Sequence, residues 1–211
     1  MSKITKSIYR YFIFILLPIN LLAQNSKSKD QYTYQVREEH GDLNNDGKMD
    51  RITVKMDTVD ETRPLRLQIF LSQPNGKLAL AVSSTKIIEP QYPAGNQGKF
   101  NGYQIPDFFI ENGILKMWSE IEKGNITYDF KYNNGNFELI YVDKLTNNAT
   151  KGYIDEKTIF TETKFDLVTG IRTETDEISG SAKALKVRKK RVLIRPLPKI
   201  QDFKFSDKDL Y

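Results

Sequence analysis

The chain has 211 residues, no cysteine, one histidine, and 32 Lys and Arg against 27 Asp and Glu. Without thiols it forms no disulfide and builds no thiolate metal or redox centre, and one histidine leaves little room for His-based catalysis. The formal charge of +5 is unevenly spread: residues 183–211 hold 10 basic against 3 acidic residues, and residues 24–182 hold 19 against 24.

At the N-terminus, Lys3, Lys6 and Arg10 precede an apolar stretch from Tyr11 to Leu22 that closes on Ala23. A basic lead, an apolar centre and a small residue at the cut are the parts of a secretory signal. Residues 1–23 are therefore expected to be removed on export to the periplasm or the outside. The apolar run is shorter than the roughly 20 residues of a spanning helix and contains Pro18 and Asn20. The three basic residues leave with it, so 29 basic residues face 27 acidic ones and the mature charge is +2. Residues 24–31 read as a flexible lead, 32–182 as a β-domain, and 183–211 as a basic C-terminal segment packed on that domain.

From residue 32 onward the hydrophobic period is two, the signature of strands with one buried face. Ile52, Val54 and Met56 alternate with polar residues, as do Leu65, Leu67, Ile69 and Leu71. Pro74-Asn75-Gly76 separates the second run from Leu78–Val82, and Asn112-Gly113 separates Phe108–Ile110 from Ile114–Ile121. Gly124-Asn125 leads into Ile126, Tyr128, Phe130 and Tyr132, and Asn133–Asn136 into Phe137, Leu139 and Tyr141. A last pair, Thr158–Val168 and Ile171–Ile178, is hinged at Thr169-Gly170. Asn and Gly supply the positive φ angles of tight hairpins. The expected class is all-β: a mostly antiparallel meander arranged as a sandwich, an open barrel or a partial propeller-like sheet. Glu89–Gln104 breaks the pattern with two prolines and three glycines, and its Tyr92, Phe100 and Tyr103 offer stacking surfaces.

One stretch carries metal-like chemistry. In GDLNNDGKMDRITV, residues 41–54, side-chain oxygens stand at Asp42, Asn44, Asp46 and Asp50, with Gly47 between them and the Lys48 carbonyl as a further oxygen. Calcium takes six to eight oxygens, and a loop supplies alternate side chains plus a carbonyl when a glycine permits the bend. The EF-hand places an acid at the twelfth position, where this chain has Thr53; the loop is not an EF-hand. A bare Asn/Asp/Gly turn is the plainer alternative.

This D-x-N-x-D-G-x-x-D pattern, running directly into the strand from Arg51, resembles the calcium loops of FG-GAP and VCBS-type repeats of integrin-like propellers and secreted bacterial proteins. The resemblance covers about fifteen residues, 42–56, in one copy where propellers have several. It implies side-chain ligands at Asp42, Asn44, Asp46 and Asp50 and a carbonyl ligand at Lys48. Lys48 and Arg51 offset part of the aspartate charge, so a structural Ca2+ of weak affinity is expected, on the order of 10⁻⁴ to 10⁻³ M.

Other candidates compete with plainer readings. His40 reads as a solvated strand-end residue, and no G-x-S-x-G elbow accompanies it. Trp118 lies on the opposite strand face from Leu115 and Met117, so with Tyr103 it is a candidate for stacking on a glycan or partner; the alternative buries it under a second layer. Glu111, Glu120 and Glu122 near Trp118 are the acids from which a glycosidase pair would have to come. Lys186–Arg191, KVRKKR, suits anionic envelope polymers or lipid headgroups rather than nucleic acid in an exported protein, or is a charged strand packed on the acidic body, with Val192, Leu193 and Ile194 as its buried part. The combined expectation is an exported, non-catalytic binding or envelope-associated protein stabilised by calcium. The alternatives are a glycan-binding module and a hydrolase of cell-surface polymers.

Overall fold

The structure, a computed structural model, describes residues 30–150, 152–181 and 183–206. The expected signal at 1–23 and most of the lead at 24–31 lie outside these residues. The described chain forms eleven strands: β1 Tyr32–Gly41, β2 Asp50–Asp57, β3 Leu65–Ser72, β4 Leu78–Ser84, β5 Asp107–Glu111, β6 Ile114–Ile121, β7 Gly124–Asn133, β8 Asn136–Asn147, β9 Ile159–Asp166, β10 Ile171–Ile178 and β11 Ala184–Arg191. They make two antiparallel sheets in chain order, β1 to β4 and β5 to β11. Neither closes into a barrel, so the all-β, antiparallel class expected from the sequence is the one observed, built as two open sheets.

Tight turns set the register. Asn112 and Gly113 hold φ of 52° and 73°, and Asn134 and Gly135 hold 47° and 83°, the pair of positive angles a two-residue hairpin requires. Opposite residues in antiparallel strands share a face, so the pairings Phe108 with Met117, Met117 with Tyr128, Tyr128 with Val142 and Val142 with Phe165 trace one face of the larger sheet. That face joins Ile52, Val54, Leu65, Leu67, Ile69 and Val82 of the smaller sheet in a single apolar core. Gly41 closes one corner: a Cβ there would sit 2.6 Å from Ile110, so the absence of a side chain lets β1 run against β5. The Arg37–Asp107 ion pair at 3.0 Å joins the same two strands.

Beyond β11 the chain returns along the larger sheet as a strap. Val192 donates to the Gly170 carbonyl. Lys199 bridges Glu138 where β9 no longer reaches β8, Leu139 donates to Pro198, and Ile200 donates to Phe137. Phe203 then packs its ring edge-on to Tyr128 at 4.9 Å and to Phe130 at 5.9 Å. The segment from 183 onward thus supplies both a strand and part of the core. Val192 and Ile194 pack on that core, whereas Leu193 is 59% exposed: in an extended chain successive side chains point to opposite sides. Among the described residues no helix is long and apolar enough to cross a membrane.

Candidate functional site

The aspartate-rich stretch connects β1 to β2. Leu43 is buried in the core and anchors the loop at its start. Asp42 accepts the amides of Asp46 at 3.1 Å and Gly47 at 2.8 Å through its two oxygens. Asn44 Oδ1 accepts the Asp46 amide at 3.1 Å, and Asp46 Oδ1 accepts the Lys48 amide at 2.9 Å. Gly47, at φ 78°, provides the left-handed step that folds the loop back. Asn45, also at positive φ, meets the β5–β6 turn so closely that a Cβ on Gly113 would lie 2.5 Å from its side-chain oxygen. The loop is therefore wedged between its own strands and a hairpin of the other sheet.

Asp50 plays a different part from Asp42, Asn44 and Asp46. It is fully buried, and each oxygen accepts one amide at 2.8 Å, from Leu43 and from Ser72. Its carboxylate ties both ends of the loop to β3, a role that spacing alone did not distinguish from ligation. Desolvation pulls the Asp46 carboxyl upward, but hydrogen bonds from Lys48 outweigh it and the group titrates below its ordinary range. The donor set is all hard oxygen, as calcium requires. Among the described residues no three His, Cys, Asp or Glu side chains are gathered as a ready metal cluster; the carboxylates here are engaged with loop amides. His40 is exposed and bonds Glu38 at 3.0 Å, outside the loop.

Trp118 is half-buried and stands on the face of β6 opposite Leu115 and Met117, in a cross-strand row with Asp107, Thr127, Asp143 and Lys164. On the same face Lys116 pairs with Asp129 at 2.9 Å. Burial, then Glu162, pushes the Asp143 carboxyl above its ordinary range; burial and Asp143 push up the Tyr141 hydroxyl. Tyr103 is not part of this face. It lines a small depression with Glu89 and Glu120, where burial, then Glu122 and Glu89, raises its hydroxyl. That depression brings two carboxylates beside an aromatic ring, yet its open space is about 10 Å³, one water's worth and far short of a sugar ring. Glu120 is moreover engaged by the Gln104 amide at 3.0 Å, and Glu111 is exposed at the end of β5.

Comparison with protein-family models, curated proteins and solved structures returned no match. The geometry therefore stands alone. The basic run is the edge strand β11, which among the described strands pairs with β10 alone. Its register puts Lys186, Arg188 and Lys190 opposite Asp176, Glu174 and Arg172 on one face, and Lys189 and Arg191 on the other. Arg188 binds Asp176 at 2.8 Å and Glu174 at 3.0 Å, which holds Glu174 below its ordinary range and Asp176 at about 2. Sequence reading missed this ladder, because the pairing partners lie 12 and 14 positions away across a hairpin.

Proposed function

We propose that the protein is an exported, non-catalytic binding module whose β1–β2 end is fastened by one calcium ion. The observation that carries the reading is a backbone already curled so that Asp42, Asn44 and Asp46 each accept the amide of a residue at positions 46–48. Asp42, Asn44, Asp46 and the Lys48 carbonyl would hold the ion while Asp50 keeps the loop ends on β3. The bound ion supplies positive charge where three acids crowd within nine positions. Export rests on the basic and apolar layout of residues 1–23, and an oxygen-only fastener suits a chain without cysteines outside the cell.

At about 2 mM calcium and a Kd of about 10⁻⁴ M, ligand linkage gives roughly 1.8 kcal/mol, a rise of about 4–7 °C in melting temperature for a chain this size. Differential scanning calorimetry with calcium and with chelator checks it. Asp46→Ala is expected to abolish the increment, and identical melts in calcium and chelator would remove the fastener.

A second reading, glycan recognition, is supported by Trp118 on a sheet face turned away from the core. As the chain's one tryptophan it reports directly: a saccharide on that face shifts its emission, and unchanged emission at saturating binding removes that face as the site. Contact with an anionic envelope would use β11. Lys189→Glu with Lys190→Glu is expected to abolish salt-sensitive binding to vesicles containing anionic lipid; binding unaffected by salt or by the pair removes that contact.

A further inference from the structure

We infer that the hollow between the β2–β3 turn and the Glu89–Gln104 loop is a binding site for a neutral saccharide, an inference that rests on reading the protein as a binding module. The hollow is about 500 Å³ and is lined by Thr58, Val59, Asp60, Glu61, Arg63 and Tyr92. That volume lies within the roughly 300–1,000 Å³ of small-ligand pockets.

Its walls are built before any ligand arrives. The buried Asp57 accepts the amides of Val59 at 2.8 Å and Asp60 at 3.1 Å, and Asp60 accepts both the amide and the hydroxyl of Thr62. The Tyr92 amide donates to the Thr62 carbonyl at 3.1 Å, and Gln91 donates to Arg63. These two backbone bonds lock the long loop to the turn. Within the loop Asn101 donates to the carbonyls of Gln91 and Pro90, each at 2.9 Å. A segment rich in proline and glycine is thereby held in one shape, which lowers the ordering cost of binding.

The lining chemistry selects the class of ligand. Among the described residues Arg63 forms no ion pair; its guanidinium lies 5.2 Å above the Tyr92 ring, which in turn leans on Phe100 at 5.9 Å. Arg63 sits at φ 46°, a conformation non-glycine residues seldom adopt, and the stack is what that turn presents. Glu61 is exposed beside it, and Asp60 bonds Thr62 through Oδ1. Carboxylates accept from hydroxyls, a guanidinium donates to hydroxyl or ring oxygens, and Val59 with the aromatic pair offers apolar surface to the C–H side of a sugar ring. An anion would meet two carboxylates against one guanidinium. A cation would satisfy the carboxylates but leave Arg63 without a partner, and a purely apolar ligand would leave all three charges desolvated and unpaired. A neutral polyol with an apolar side satisfies the set.

Isothermal titration calorimetry of the mature chain against gluco-, manno- and chito-oligosaccharides tests the inference. At least one is expected to bind, with Glu61→Gln weakening it about tenfold, the scale of one charge-assisted hydrogen bond, and Tyr92→Ala abolishing it. Trp118→Ala is expected to leave it unchanged. Glu61 is exposed, so its variant folds and keeps the test sound even where Tyr92→Ala disturbs the loop. Binding lost in Trp118→Ala and intact in Glu61→Gln overturns the hollow and leaves glycan recognition to the sheet face. Binding of no member of the panel overturns the saccharide altogether, while the calcium fastener and the anionic contact stand or fall by their own measurements.

Discussion

Along β6–β8 the core-facing side chains of the larger sheet are Leu115, Met117, Tyr128, Phe130, Leu139 and Val142, all buried. Two strands further on, that face carries Arg172, Glu174 and Asp176 on β10 and Lys186, Arg188 and Lys190 on β11. No residue of β10 or β11 is buried. The apolar core ends at Phe165 and Leu167, and past it cross-strand ion pairs replace apolar contact. One sheet is thus held by two kinds of force. Apolar burial contributes about 25 cal/mol per Å², whereas exposed ion pairs contribute about 0–1 kcal/mol each. The covered half should set global stability, and the β10–β11 hairpin should open locally without unfolding the rest.

The largest effect is expected in the covered half. Phe130 has no exposed surface, and Phe130→Ala should cost about 3–5 kcal/mol by loss of transfer energy and creation of a cavity. Chemical denaturation should show the midpoint falling at constant slope. Phe203→Ala removes the ring that closes over Tyr128 and Phe130 from the strap. Because the strap is irregular and can relax into the space, about 2–4 kcal/mol is expected from the same experiment. A Phe203 loss under about 1 kcal/mol would mean that the strap rests on the core without being part of it.

In the uncovered half the expectation reverses. Arg188→Ala should move the melting temperature by no more than about 4 °C while raising amide exchange selectively in β10 and β11. Acid should act similarly. Asp176 is held at about 2, below its ordinary 3.8, so the folded state favours the carboxylate. That contribution is complete above about pH 4 and is lost as pH falls toward 2. Exchange mass spectrometry, corrected for intrinsic rates, should show the hairpin loosening in that window ahead of β6 and β7. Simultaneous loss in all strands would show that the ion-pair ladder and the core are one cooperative unit.

Strands were legible in both halves: in the uncovered half the Thr169-Gly170 hinge bounded β10 at Ile171–Ile178, with both ends matching. In the covered half alternation and turn residues placed β6 at Ile114–Ile121, with both ends matching, and in the smaller sheet β3 within one residue. The period-two rule works there because one face is buried and the other wet. β1 was not delineated: Arg37, Glu38, Glu39 and His40 interrupt its alternation, and the shifts near Tyr34 and Arg37 move residues between faces. The second half of β8, to Asn147, was likewise missed, since Lys144 and Thr146 share the face of Val142 where the apolar core gives way to polar side chains. The strap was readable only at its apolar start, where Val192 and Ile194 pack on the core; its return along β8 had no signal, as a segment that caps an unfinished strand edge has no period of its own. At the candidate metal loop the oxygens were readable, but Asp50's inward turn was not, because it depends on Ser72, 22 positions away. The hollow beneath Tyr92 depends on Arg63 and Glu61 from a different loop, so its aromatics were visible without the charges that give them chemistry.

The smallest effect sharpens the contrast on the outer face of the same sheet. Asp143 lies in the cross-strand row between Thr127 and Lys164, with Glu162, Asp129 and Lys116 also acting on it, and burial leads in raising its carboxyl. A raised carboxyl is destabilising when ionised: the penalty is absent below the ordinary value of 3.8 and grows as pH climbs through the raised one. Asp143→Asn keeps the shape and removes the charge, so it should stabilise the fold at neutral pH by less than about 1 kcal/mol after solvent screening. The difference should vanish near pH 3. Melting temperatures of the two proteins compared from pH 3 to 8 give the test. A gain of the same size at every pH would place its origin in packing and not in charge. A loss at neutral pH would mean that the carboxylate is held by Lys164 more strongly than burial opposes it, making the row beside Trp118 an ion-paired surface like the hairpin on the other face.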